Sequence, residues 1–343
     1  MPMSPLPYAL CAYSLPHTLG YLPTLNKAAN PNAAPLQALV DAAERYHLSG
    51  VEFPLAAMVP SFDGKFIPTS GADAELLERV RAQRLTLIAD YGSIVAQDAA
   101  HLQAYLETAA KAGAKTVRAT LSHILCGDRR ELPGGWPAYF EALIQRLREV
   151  LPVAEDLGVV LAVENHQDVT SADLNELYTE SGSSPAFGVT LDTGNPLAVG
   201  EDPVEFTERI APLIRHLHLK DYTLHLAPNG YRLARCAAGD GVIDFPEILR
   251  IARGNGHTIL PSVEIAAQAT RTVPLLEARW WEHPRPDQAR HLIAALRLVW
   301  EKGLAQDVPY SSAWERGESS EIVVREEWAV VERSIDYLSK LGV

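Results

Sequence analysis

Short apolar runs rich in Val, Ile and Leu alternate with longer amphipathic stretches through the first three-quarters of the chain, the rhythm of repeated strand–helix units. Eight runs read as strands: Tyr8–Ala12, Gly50–Phe53, Thr86–Asp90, Thr116–Ala119, Val159–Glu164, Phe187–Asp192, Ile214–Leu219 and Ile259–Glu264. Between them, helix periodicity shows in Leu36, Leu39, Val40 and Ala43, in Leu102, Leu106, Ala109 and Ala110, and in Leu143, Leu147, Val150 and Leu151. Nearly continuous apolar strands imply burial on both faces, and eight such units within about 265 residues match a closed (β/α)8 barrel. An open doubly wound sheet fits less well. No G-x-G-x-x-G follows the first strand, and polar residues collect at the ends of many strands instead of at one switch point.

The expected organisation is an α/β protein with a (β/α)8 TIM barrel over residues 1–268 and a barrel-closing helix plus C-terminal helical extension over residues 269–343. Two helical patterns lie in that tail, Gln288–Lys302 and Glu326–Leu341. The first is expected to close the barrel, and the rest to pack across one face or against a second subunit. Trp280 and Trp281 beside Pro284 and Pro286 form an apolar cluster that a monomer has little reason to expose, so they are the expected contact of a homo-oligomer.

Composition narrows the field of partners. With 47% hydrophobic and 21% charged residues the chain is of the folded globular type, and no run reaches the roughly 18 apolar residues of a membrane span. The first charged residue is Lys27, so the apolar N-terminus reads as a core strand and not as a secretory leader. A formal charge of −13 repels nucleic acid and anionic lipid, and neither is expected as a partner. Three scattered cysteines, Cys11, Cys126 and Cys236, suit neither a disulfide framework nor a cysteine zinc site, and a reducing cytoplasm fits them.

In a barrel of this kind the chemistry sits at the C-terminal ends of the strands. The fifth run ends in Glu164-Asn165-His166, the sixth in Asp192-Thr193-Gly194-Asn195, the seventh in His216-Leu217-His218-Leu219-Lys220-Asp221, and the eighth in Glu264. Alternation along each strand turns Glu164, Asp192, Glu264 and a histidine of the His216/His218 pair inward. Three carboxylates converging on one buried mouth would repel one another unless a cation sat between them. Three oxygen donors with one imidazole suit Mn²⁺, Mg²⁺ or Co²⁺ well, and Zn²⁺ acceptably. A carbonyl polarised between two carboxylates is the arrangement needed to remove and return a proton beside it.

These strand ends, with the Gly239-Asp240-Gly241-Val242-Ile243-Asp244 loop, resemble the sugar phosphate isomerase/epimerase family of xylose isomerase-like barrels, in the superfamily of AP endonuclease family 2, over about residues 8–265. The resemblance implies that Glu164, Asp192, His218 and Glu264 hold a divalent metal, with Glu164 and Glu264 as the acid/base pair of an isomerase or epimerase. The substrate would be a small sugar, sugar phosphate or keto-sugar acid, processed through an enediolate. A lyase, dehydrating or decarboxylating an oxo-sugar on the same metal site, is the alternative, and a non-catalytic sugar-binding barrel the third reading. Asn195 stands where ketose 3-epimerases carry His. That departure, with the acidic charge, also counts against the endonuclease IV branch and its trinuclear zinc.

Around the ring, His166, Asn195, Lys220, Asp221 and His123 are the expected substrate contacts, though Lys220 and Asp221 could equally form a surface ion pair. His216 reads as a satisfied core histidine. Asp244 and Glu247 have the spacing of a helix cap, and Gly239 with Gly241 that of a tight turn. Glu52, Asp90, Arg118, Tyr13 and His17 are supported by position alone. Trp136 reads as packing.

Overall fold

The structure, a computed structural model, describes residues 5–26, 29–56, 58–60, 66–68, 71–132, 134–265, 269–281 and 288–341. Eight parallel strands close into a barrel: β1 (Leu6–Cys11), β2 (Leu48–Pro54), β3 (Thr86–Ser93), β4 (Thr116–Thr120), β5 (Val160–Glu164), β6 (Phe187–Asp192), β7 (Ile214–Leu219) and β8 (Pro261–Val263). Each pairs with its sequence neighbours, and β8 pairs with β1 through Ala9↔Ser262 and Leu10↔Val263. The apolar runs therefore mark the strands, with ends shifted by a few residues.

Helices α1 (Gln37–Arg45), α2 (Ala74–Ala82), α3 (Ala99–Ala112), α4 (Gly135–Asp156), α5 (Ser171–Glu180), α6 (Pro203–Ile210) and α7 (Phe245–Arg253) follow the first seven strands. Their starts are set by side chains that satisfy open N–H groups: Asp98 caps α3 by accepting from His101 N at 2.9 Å, and Thr170 forms a capping box with Asp173 on α5. Leu10, Val51, Phe53, Val117, Leu161, Val163, Leu191 and Leu219 belong to the apolar core between sheet and helices. Their strand neighbours point the other way, so the barrel interior near the mouth is lined by charged and polar groups.

The tail departs from expectation. The helix over Gln288–Lys302, α8, does not close the barrel; α9 (Ser320–Ser339) takes that place. Tyr8 Oη on β1 donates to Leu338 O at 3.3 Å, Ala238 N donates to Ser334 Oγ at 3.0 Å, and Tyr337 meets Phe245 of α7. Both segments are amphipathic, and periodicity shows only that a face is covered. What α8 covers is a hairpin, Asp221–Ala227 with Gly230–Cys236, that leaves β7 directly and is widened by Arg271–Val273 into a three-stranded antiparallel sheet. Leu304, just beyond α8, bonds to that hairpin at Leu224 and Leu226.

The expected tryptophan contact is internal. Trp280 is 7% exposed, donates from Nε1 to Cys126 O at 2.7 Å and stacks edge-on against the half-buried Trp281, while Pro284 and Pro286 lie outside the described residues. The exposed apolar stripe is on α8 instead, at Ile293, Leu296 and Trp300, the last 89% exposed. None of the described helices is long and apolar enough to cross a membrane.

Candidate metal and acid–base centre

The alternation of strand side chains brings the expected ring together. Donor atoms of Glu164, Asp192 and His218 lie within 4.8 Å of one another, and all three residues are buried. Strand register aligns them: Asp192 pairs with His218 across β6 and β7, and Thr190, two residues before Asp192, pairs with Glu164. Glu264 joins through Lys220, whose Nζ lies 2.6 Å from Asp192 Oδ2 and in contact with Glu264 Oε2.

Each of the four expected ligands has a buried atom without a hydrogen bond: Glu164 Oε1, Asp192 Oδ2, His218 Nδ1 and Glu264 Oε2. Lys220 reaches two of them as an ion pair only. Buried polar atoms are almost always hydrogen-bonded, so Glu164 Oε1 and His218 Nδ1, with Asp192 Oδ2 held only by the Lys220 ammonium, form a donor cluster of the kind a cation takes. These three fit a divalent metal with two oxygens and one nitrogen, and Glu264, held by the same ammonium, lies beside them. A second buried group, Cys11, Glu52 and His218, lies beside it.

The remaining atoms of the ring are already held. Asp192 Oδ1 accepts from Gly194 N at 3.0 Å and Asn195 N at 3.1 Å. Glu164 Oε2 accepts from Arg118, which also lies 3.7 Å from Asp90. His218 Nε2 shares a proton with Glu52 Oε1 at 2.7 Å, leaving Nδ1 toward Glu164 at 3.5 Å. Glu52 Oε2 bonds His216 Nε2 at 2.9 Å, so His216 is a satisfied core histidine. An imidazole backed by a carboxylate through its far nitrogen is the usual support of a metal-binding histidine.

The charges follow from these contacts. Burial opposes ionisation of Glu164, but Arg118 and His218 outweigh it and hold the carboxyl well below the usual range. Burial pushes Asp192 up to about 6 against the pull of Lys220. Burial works against the Lys220 ammonium too, yet Asp192 and Glu264 keep it charged. His166, half-buried after β5, is pushed down to about 3 by burial and stays neutral.

The outer candidates divide. Lys220, 2% exposed, is no surface residue and sits inside the ring. Asn195 is buried, its Oδ1 accepting from Tyr222 Oη at 3.2 Å. His123 is half-buried in the loop after β4. Asp221, expected as a substrate contact, has both carboxylate oxygens filled by backbone donors. Its Oδ2 accepts from Gly239 N and Gly241 N, and its Oδ1 from Ile243 N and Tyr222 N, all at 2.9–3.1 Å. It fastens the base of the hairpin to the loop before α7, and a side chain at Gly241 would collide with its carboxylate. Glu52 and Arg118, which sequence supported by position alone, are the direct supports of His218 and Glu164. Asp244 is the cap of α7 that its spacing implied, accepting from Glu247 N at 3.1 Å.

Curated relatives align over part of the chain. The 3-oxo-isoapionate decarboxylase of Pectobacterium atrosepticum is 32% identical over 153 residues, 43% of this chain and 54% of that protein. The inosose dehydratase of Bacillus thuringiensis is 26% identical over 132 residues, 34% and 43% respectively. The chain thus spans about half the length of these relatives. Among solved structures, a xylose isomerase-like TIM barrel protein from Mycobacterium smegmatis in complex with magnesium superposes with a TM-score of 0.55 at 17% identity, covering 86% of this chain and 98% of that one. The profile of the xylose isomerase-like TIM barrel matches residues 22–299, and the chain belongs to that family.

Proposed function

We propose that this chain is a metal-dependent lyase that forms a carbanion beside the carbonyl of a small oxo-sugar and expels a leaving group from it. The observation that carries this over isomerisation is the inequality of the two glutamates. An epimerase removes a proton on one face of a carbon and returns one on the other, which calls for two mobile protons. Here one Glu164 oxygen accepts from Arg118 while the other lies 3.5 Å from His218 Nδ1 without a hydrogen bond. Glu264 instead touches the Lys220 ammonium, so the ring's one cationic proton donor stands on the Glu264 side.

A divalent ion held by Glu164, Asp192, His218 and Glu264 would supply the Lewis acidity that polarises the substrate carbonyl, and the oxygen-rich donor set suits Mn²⁺, Mg²⁺ or Co²⁺. The protein's own groups handle the protons. In a dehydration, Glu264 takes the C–H proton, the electron pair moves into the new double bond, and Lys220 gives a proton to the departing hydroxyl as water. In a decarboxylation, the C–C bond breaks to release CO₂, and the carbon left behind takes its proton from Lys220. Lys220 is buried, so bulk water does not quench the carbanion. The decarboxylase and dehydratase names of the two sequence relatives support this class.

The test is a panel of oxo-sugars and oxo-sugar acids incubated with metal-loaded protein in D₂O and read by mass spectrometry. Loss of CO₂ or water supports the lyase. Deuterium uptake at unchanged composition means isomerisation, the second reading, in which Glu164 must free itself from Arg118. Glu264→Gln keeps an oxygen donor but removes the base, and turnover is expected to fall about 10²–10⁴-fold with metal retained. Near-native turnover in that variant contradicts the assignment.

A further inference from the structure

The sheet laid over the barrel carries two arginines that the proton chemistry does not use. Pairing of Tyr222 with Arg235 and of Leu233 with Arg271 puts Tyr222, Leu224, Leu233, Arg235 and Arg271 on one face of that sheet. The apolar members are at most 1% exposed, so this face is turned onto the barrel. A guanidinium on a buried face is costly unless a negative group meets it.

Arg235 has such company: it hydrogen-bonds Tyr222 and feels Glu264 and Asp192. Arg271 does not. The residue is only half-buried, yet its Nε is shielded and without a hydrogen bond, and no described carboxylate pairs with it. Its strongest charged neighbour is Arg235, a like charge. Nearby, Asn195 Nδ2, in a residue 1% exposed, has no acceptor among the described residues, and Asn195 is tied to the same Tyr222. Two unmet donors, Arg271 Nε and Asn195 Nδ2, thus lie on the hairpin side while the unmet acceptors lie in the ring, in a chain whose overall charge is −13. A metal ion would take up the ring's carboxylate charge and sharpen that imbalance.

We propose that the substrate is anionic, bearing a carboxylate or phosphate that Arg271 and Arg235 grip with Asn195 while its oxo end reaches the metal ring. This rests on the lyase reading for what happens at the ring, but the anion site stands on its own contacts. Guanidinium forks match carboxylate and phosphate oxygens, and neutral sugars lack the matching charge.

The experiment titrates the Mg²⁺-loaded protein with inorganic phosphate and, separately, with malonate, at ionic strength fixed by chloride, using calorimetry and melting temperature. Wild type is expected to bind at least one of the two, and Arg271→Met to bind it at least tenfold more weakly while Mg²⁺ affinity is unchanged. Arg271→Lys should recover part of the loss and serves if the Met variant does not fold. Stronger binding of phosphate points to a sugar phosphate, of malonate to a sugar acid. Equal anion affinity in wild type and both variants, or no binding beyond chloride, overturns the proposal. A failure of the metal reading shows separately, as absent Mg²⁺ binding before any anion is added.

Discussion

Lys220→Met tests whether the ammonium and a metal compete for the same lone pairs. Nζ lies 2.6 Å from Asp192 Oδ2 and touches Glu264 Oε2, with Asp192 fully buried and Glu264 6% exposed. Removing one partner of a buried ion pair costs about 3–5 kcal/mol, because the charge left behind has neither water nor partner. Unfolding entropy near 2.1 cal/mol/K per residue makes that a drop of roughly 4–7 °C in Tm for a chain of this length. The loss should appear in EDTA. With Mn²⁺ the two carboxylates are neutralised again, and an ion at a hundredfold excess over Kd adds about 2.7 kcal/mol. Since the variant has no ammonium to displace, it should bind Mn²⁺ at least tenfold more tightly than wild type. Calorimetric melting in EDTA and Mn²⁺, with titration for Kd, measures both. A variant that melts with wild type in EDTA, or binds Mn²⁺ more weakly, would falsify the competition.

Two further expectations concern α9 and α8. Glu327, 2% exposed, accepts from His17 N, Thr18 N and Thr18 Oγ1 at 2.6–2.8 Å, yet burial pushes it up to about 7 from an unfolded value of 4.5. The native state therefore keeps a proton that the unfolded chain has lost, and this stability is full below pH 4.5 and gone once pH passes about 7, a change of roughly 3 kcal/mol. Glu327→Gln should flatten that part of the profile in urea unfolding at pH 5 and pH 8; parallel profiles would contradict the assignment. On α8, Ile293, Leu296 and Trp300 form the exposed apolar stripe, and we expect copies of the chain to associate through it. Trp300→Glu should yield monomers of unchanged circular dichroism in light scattering, and a monomeric wild type removes the expectation.

Glu164, Asp192 and Glu264 were legible because each closes an apolar run, and alternation says which way the last side chain points; His218 lies one residue inside the end of its run. What escaped was set by partners distant in sequence. Asp221 looks like a site residue until its four N–H donors are seen, three of them 18 to 22 positions later. Lys220 suggested a surface pair with Asp221, but the two point to opposite sides, one into the ring and one under the hairpin. Arg235 and Arg271 gave no signal, since the short alternation from Tyr222 to Leu226 merges with the seventh strand run and the register that adds Arg271 is tertiary. The roles of α8 and α9 were exchanged for a similar reason: an apolar stripe records burial without naming what covers it.

The Asp221 anchor divides the molecule in a way that bears on how its descendants could change. One uninterrupted segment runs from His218 through Lys220 into the hairpin, so the strand that carries those two side chains also carries the arginine-bearing sheet. A carboxylate fixed by four backbone donors marks the joint. Backbone donors are indifferent to side-chain identity beyond the glycines at positions 239 and 241, so replacements further along the hairpin leave the anchor as it is. On the proposed reading, selection can then rewrite Arg235 or Arg271 and pass the same carbanion chemistry from one class of molecule to another without retuning the ring beneath.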